Sequence, residues 1–286
     1  MEIGYNEATC RELSSLEKDL ALAEAAGFTA FELRFDMIEK FLASHSYGEM
    51  ESLFKRSRIR PVTINAIFNI NFASPDYWKE MEAKVEFAGR IASVSGADIL
   101  LALPSFDKGP PSQSRGKIFD DTVSALVKLA EMGEKNKLRI AFEPLGYKDS
   151  CVRSIKDSWE IIKRINRPDI GLALDAYNLY HYDRLNDVDD ILEINPEKIF
   201  IVHINDAGDI PFEELGNYDR VLPGDGIIDC KKFIKTITDC GYDGVVSVEI
   251  LNHDLWKAAP EQIIPEAYKK SREILFNACA KGINSL

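Results

Sequence analysis

The chain of 286 residues is 45% hydrophobic and 29% charged, with a formal charge of −12. It is long enough to bury a large core without disulfide or metal staples. Its 47 acidic residues outnumber 35 basic ones, which argues against nucleic acid and anionic membrane surfaces as partners, since both call for a basic face.

Along the chain, short apolar runs alternate with longer amphipathic stretches. Strands are expected at 2–6, 29–34, 61–67, 98–103, 138–143, 170–175, 199–204 and 244–249. These runs are continuously apolar rather than alternating, as in strands covered on both faces by helices. Helices are expected at 14–26, opened by serine and stopped at Gly27, and at 75–95, where Ser74 is followed by Pro75. Further helical patterns run at 117–135, 154–166, 229–240 and 260–282. No linker or low-complexity tract divides the chain, so residues 1–286 read as one domain. Eight strands alternating with helices predict an α/β fold, a single (β/α)8 TIM barrel. A doubly wound open sheet is the alternative, weakened in its dinucleotide-binding form by the lack of GxGxxG after the first strand. Five widely spaced cysteines without a CxxC pair read as reduced thiols. Neither a signal peptide nor a membrane-length apolar run is visible, and the expected location is the cytoplasm.

Four consecutive strands in the second half end alike. IAFE, LALD, FIVH and VSVE each close an apolar run with one metal-competent side chain: Glu143, Asp175, His203 and Glu249. In a parallel barrel all strand ends share one rim, and that rim holds the active site. Intervals of 32, 28 and 46 residues are each about one strand–helix unit, so the four side chains converge. Three carboxylates and one imidazole form a hard donor set suited to one divalent ion, Mn²⁺ or Zn²⁺, with Co²⁺ and Mg²⁺ also compatible. Without the ion the carboxylates repel one another and at least one pKa is driven up. The bland alternative is a network of rim salt bridges.

Other rim residues are less specific. Arg220, in the turn-rich DRVLPGDG, either holds a substrate oxygen or pairs with Asp219 or Asp225 at the surface. Asp206 either orients His203 from behind or caps the following loop. Asn6, Glu7, Glu32, Arg34 and Asn65 fall at or near the same rim, and Phe68, Phe106, Tyr177 and Trp256 lie just beyond strand ends, where they wall a pocket or simply pack. His45, His181 and His253 have no partner spacing. There is no GxSxG, Walker or HExxH motif.

The segments FEP at Glu143, LALDAYNLY at Asp175, IFIVHINDAGDIP at His203, DRVLPGDGIID at Arg220 and VVSVEIL at Glu249, with NEATC, FELR and PVTINAIF upstream, resemble the xylose-isomerase-like sugar phosphate isomerase/epimerase superfamily. Within it the inosose isomerases are most similar, in collinear order over nearly the whole chain. The resemblance implies one divalent ion on Glu143, Asp175, His203 and Glu249, with Glu143 and Glu249 doubling as the acid/base pair. It implies proton transfer through a cis-enediolate on a small ketose or polyol, 2-keto-myo-inositol in that branch, with no organic cofactor. Many family members carry a substrate-contacting His three residues after the metal-binding Asp. Here that position is Asn178, which still hydrogen-bonds a hydroxyl but carries no proton at neutral pH. Substrate contacts are then expected from Arg220, Asn178, Glu32, Asn65, Phe68 and Trp256. Asn178 also leaves room for a ketose 3-epimerase, a hydroxypyruvate-isomerase-like enzyme or a dehydroshikimate-type dehydratase. An endonuclease IV-like nuclease is the remote alternative, disfavoured by four histidines in total and the negative charge. A non-catalytic sugar-binding barrel has no need of two glutamates poised on one ion. Association into homo-oligomers through the outer helices is compatible with the pattern.

Overall fold

The strands of the computed structural model, which describes residues 1–106 and 113–279, are β1 (Glu2–Asn6), β2 (Ala30–Arg34), β3 (Arg60–Ile67), β4 (Ile99–Ala102), β5 (Arg139–Phe142), β6 (Ile170–Asp175), β7 (Ile199–Ile204), β8 (Asp206–Ala207), β9 (Arg220–Val221) and β10 (Val245–Val248). Eight of them are parallel and close into a barrel in the order β1-β10-β7-β6-β5-β4-β3-β2, while β8 and β9 form a small antiparallel ribbon. The expected closed α/β barrel is therefore the observed one. All eight expected strands are present to within a residue or two at each end.

Two apolar groups explain the closure. One packs the outer faces of the strands against the helices and includes Tyr5, Phe31, Leu33, Leu174 and Ile204. The other, with Ala30, Val62, Leu101, Ala141, Ala173, Ile201 and Val245, occupies alternate positions and fills the barrel's interior. Side chains on a strand alternate with a period of two. The next inward positions above this layer are accordingly Glu32, Glu143, Asp175, His203 and Ser247, followed by Glu249. The apolar layer is the floor on which the polar one stands.

The helices are α1 (Leu16–Ala26), α2 (Phe35–Leu42), α3 (Tyr47–Arg56), α4 (Pro75–Ser95), α5 (Arg115–Gly133), α6 (Ile155–Ile165), α7 (Ala176–Asp183), α8 (Cys230–Asp239), α9 (His253–Trp256) and α10 (Pro260–Cys279). Ser15 caps α1 through Lys18 N, and Gly27 ends it at φ 108°, a conformation glycine adopts without strain. Ser74 caps α4 with Pro75 at its first position. Helices α2, α3, α7 and α9 and the β8–β9 ribbon are additions to the expected elements. The stretch 280–282 expected to end the last helix lies outside the described residues. Among the described residues no helix is long and apolar enough to cross a membrane.

Candidate metal centre

Strands β5, β6, β7 and β10 bring Glu143, Asp175, His203 and Glu249 together at the rim, all four buried, with one ligand atom of each lying within 4.8 Å of the others. Asp175 ends β6 and pairs in register with His203, the last but one residue of β7. Glu143 and Glu249 stand one residue beyond theirs, but the backbone ladder still reaches them: Glu143 N donates to Ala102 O at 3.1 Å and Glu249 N to Ile204 O at 3.4 Å.

The histidine defines the centre. His203 Nε2 lies 3.2 Å from Glu32 Oε2. Its Nδ1 faces Glu249 Oε2 at 3.5 Å, Glu143 Oε1 at 3.7 Å and Asp175 Oδ2 at 3.9 Å. No hydrogen bond reaches that buried nitrogen, and the three separations are long for one. A buried, unpartnered ring nitrogen facing three carboxylate oxygens is the arrangement a divalent cation fits, and the donor set of three carboxylates and one imidazole is of the right chemistry. Electrostatics agree. Burial pushes Glu143 up to about 7, with Glu249 and Asp175 adding to the rise against His203. Burial alone would lower His203, yet Glu32, Glu249 and Glu143 hold it well above its ordinary value. The His203 ring and one guanidinium are the basic groups set against these acids.

That guanidinium is Arg220. Among the described residues its ion pairs are with Asp175 and Glu249, not with Asp219 or Asp225 as at a surface. It is buried, and Nη1 donates to Glu249 Oε2 at 2.9 Å and Asp175 Oδ2 at 3.1 Å, with the charged carbon 5.0 Å from the Tyr177 ring centre. Each carboxylate also has a fixed neutral donor. Asn178 Nδ2 donates to Glu143 Oε1 at 2.8 Å, Asn6 Nδ2 to Glu249 Oε1 at 3.2 Å, and Asn205 Nδ2 to Asp175 Oδ2 at 2.6 Å. Asp175 Oδ1 accepts from Asn178 N at 2.7 Å and so caps α7. These bonds lock the side chains before any ligand arrives.

The centre forms one end of a cavity of about 460 Å³ whose lining includes Glu143, Asn178, Arg220, Glu249, Asn65, Phe68, Phe106 and Trp256. Asn178 Oδ1 is buried without a partner. Three expectations are corrected. Glu32, expected to touch substrate, is fully buried beneath the cavity, where it accepts from Thr63 Oγ1 at 2.6 Å and faces His203. Asp206, expected behind His203, instead accepts from the backbone of Ala207, Gly224, Gly226 and Ile228 at 2.7–3.0 Å. Four peptide donors, one on β8 and three in the loop after β9, outcompete one imidazole that already has a carboxylate. Tyr177 is buried with its hydroxyl on Gly216 O and does not wall the cavity. Asn65 lines the cavity while its amide nitrogen donates to Thr63 Oγ1 at 3.0 Å and Leu33 O at 3.2 Å.

Two contributors are not among the expected residues. Asn205 continues the inward alternation of Ile201 and His203, a signal present in the sequence. Tyr147, half-buried in the cavity wall with its hydroxyl on Asn217 Oδ1 at 2.8 Å, lies in an irregular segment without periodicity. The remaining histidines lie outside the centre: His181 faces Leu215 O at 2.9 Å, His253 stacks on Tyr218 and His45 on Phe41.

Residues 20–275 match the xylose isomerase-like TIM barrel family. An inosose isomerase of Halalkalibacterium halodurans is 28% identical over 278 residues, covering 96% of this chain and 96% of that protein. A 3-dehydroshikimate dehydratase of Pseudomonas aeruginosa is 31% identical over 137 residues, 47% of this chain and 21% of that protein. A crystal structure of IOLI protein with a binding zinc atom superposes with a TM-score of 0.92 at 27% identity, covering 98% of this chain and 100% of that one.

Proposed function

The chain belongs to the xylose isomerase-like TIM barrel family, and we propose that it is a divalent-metal-dependent isomerase of a small polyol ketone, of the inosose (2-keto-myo-inositol) type. The observation that carries this is the unpartnered His203 Nδ1 facing Glu143, Asp175 and Glu249 at the end of a substrate-sized cavity. The near end-to-end match to an inosose isomerase supports it.

Glu143, Asp175, His203 and Glu249 would hold the ion, Zn²⁺ or Mn²⁺ by donor chemistry, with Co²⁺ and Mg²⁺ compatible. When bound, the ion supplies Lewis-acid polarisation of a carbonyl and neutralises negative charge developing on oxygen. The chain's own groups do the rest. Glu143 and Glu249 form the acid/base pair. One takes the proton from the carbon next to the carbonyl; the C–H pair forms the C=C bond, the carbonyl π pair moves onto its oxygen, and with the proton of the neighbouring hydroxyl taken up this leaves a cis-enediolate. A proton is then returned to the former carbonyl carbon as the neighbouring oxygen re-forms C=O, and the hydroxyl proton passes to the former carbonyl oxygen. Asn178 Oδ1 is free to accept a substrate hydroxyl while its Nδ2 holds Glu143. Phe68, Phe106, Tyr147 and Trp256 exclude water from the intermediate. Residues 1–286 act as a single barrel unit.

The test is metal analysis of the purified chain combined with NMR of 2-keto-myo-inositol in D₂O. The expected result is about one divalent ion per chain and deuterium at the carbon beside the carbonyl. Metal without exchange would redirect the search to other ketoses and to 3-dehydroshikimate, the substrate named for the relative matched over 47% of this chain. No metal after loading with Zn²⁺ or Mn²⁺ would overturn the reading.

A further inference from the structure

Across the cavity from the carboxylates, two guanidinium groups face the same space. Arg11 follows β1 and Arg34 is the last residue of β2, and both line the cavity that ends at Glu143 and Glu249. In the closed order β2 stands four strands from β6, so Arg34 lies diametrically opposite Asp175 on the ring. The two arginines share one acid. Arg34 Nε donates to Asp36 Oδ1 at 3.0 Å, and Arg11 pairs with Oδ2. Asp36 itself opens onto a separate groove with Lys40 and His253, behind the cavity wall.

Both arginines are held in place. The Arg11 guanidinium lies 4.7 Å from the Trp256 ring centre, and Trp256 is fixed through its Nε1, which donates to Ala8 O at 2.7 Å. The Arg34 side chain is 16% exposed, and among the described residues its guanidinium makes no hydrogen bond besides the one to Asp36. Asp36 is the carboxylate that both guanidinium groups pair with, while Glu7 lies on the backbone N–H of Arg34 and Asp149 elsewhere in the cavity lining. The arginines border walls that include Phe68, Tyr218 and the buried Trp256.

We propose that Arg11 and Arg34 form an anion subsite, and that the cavity takes, besides a neutral polyol ketone, one that carries a carboxylate or phosphate on the side away from its carbonyl. The carboxylate end of the cavity repels such a group and the arginine end attracts it, so the two ends together fix one orientation. The direction of the carbonyl rests on the isomerase reading; the anion preference rests on the arginines alone.

The test uses calorimetric titration of the zinc-loaded full chain with three probes: myo-inositol, quinate and myo-inositol 1-phosphate. The first is a neutral cyclic polyol, and the others carry a carboxylate and a phosphate. At least one anionic probe is expected to bind about tenfold or more tighter than myo-inositol, the usual size of a charge-assisted contact. That advantage should vanish in Arg11→Met/Arg34→Met. Which anion wins separates carboxylate from phosphate. Arg11→Met alone, at a partly exposed position, should reduce the advantage and keeps the test alive should the double variant fold poorly. Equal affinity for all three probes, or a preference that survives both substitutions, would overturn the subsite. Exchange of 2-keto-myo-inositol protons in D₂O, run on the same wild-type preparation, separates the two readings. Anion preference without exchange keeps the subsite and removes 2-keto-myo-inositol as the substrate, and exchange without preference keeps that substrate and removes the subsite.

Discussion

The β5–β10 side of the rim and the β1–β3 side are built from the same inward alternation yet handle buried charge in opposite ways. On the first, Glu143, Asp175 and Glu249 are crowded together around His203, with Arg220 as the one permanent cation touching them. On the second, each acid has its own answer. Glu32 is paired with His203 and held down to about 2, burial notwithstanding. Asp36 lies between two arginines, and Asp19 is pushed up to about 7 by burial. A carboxylate at a strand end is thus a ligand or a brace according to what faces it, and the strand position alone does not decide.

The largest effect should come from removing a carboxylate on the crowded side. Glu249→Gln and Glu143→Gln are each expected to lose stoichiometric metal and to slow proton exchange about 10²–10⁴-fold. Metal analysis and deuterium incorporation read the two losses separately. Full activity in either variant would end the roles given to that residue.

The next effect sharpens the contrast from the bracing side. Glu32→Gln keeps an acceptor for His203 Nε2 but removes the charge that orients the ring. Zinc affinity, measured by chelator competition, should fall about 10- to 100-fold. A residue touching substrate would instead raise KM and leave zinc affinity alone.

A third prediction concerns Asp206, which lies next to the crowded side without belonging to it. Asp206→Ala strands four backbone donors and should lower the unfolding free energy by about 2–4 kcal/mol in urea. The zinc affinity of the folded protein should stay unchanged. A selective loss of zinc would put Asp206 back behind His203.

These contrasts mark what the sequence carried and what it did not. The apolar runs gave the barrel, and four strand ends gave the crowded side, because period-two alternation continues past the last apolar residue to Glu143, Asp175, His203 and Glu249. The same alternation reaches Asn205, whose Nδ2 binds Asp175. It also places Glu32 inward, but whether an inward acid meets substrate or a histidine depends on a contact 171 residues away. Arg220 was ambiguous for the same reason: its partners lie 45 and 29 residues off, on other strands. Helix α2 starts directly from the end of β2 with no side-chain cap, so no start signal marks it. Helix α7 is capped by Asp175 itself, a residue whose metal-binding character hid its local role. Arg11 carries no periodic signal, and its place is set by Trp256 from the far end of the chain.

The smallest effect tests the bracing side by its pH dependence. Asp19 lies buried on α1, accepting from Tyr5 Oη at 3.3 Å and from Ser14 Oγ. Burial outweighs these bonds and raises it to about 7. An unfolded aspartate loses its proton near pH 4, so between about pH 4 and pH 7 the folded chain holds a proton that the unfolded chain has released. Stability from this group is therefore full below pH 4, declines as pH rises to about 7 and is flat above. An asparagine side chain in its place has no proton to lose. Asp19→Asn should lie about 1–3 kcal/mol below the wild type near pH 4, the cost of its extra amide donor, and about 1–2 kcal/mol above it at pH 8, where the ionisation penalty of the wild type exceeds that cost. Glu7, also raised by burial and next by the Asp19 charge, has the same sign, so the difference between the two proteins reads Asp19 together with its effect on Glu7. A difference that does not change with pH would mean that burial does not raise this acid, and the contrast between the two sides would rest on ion pairing alone.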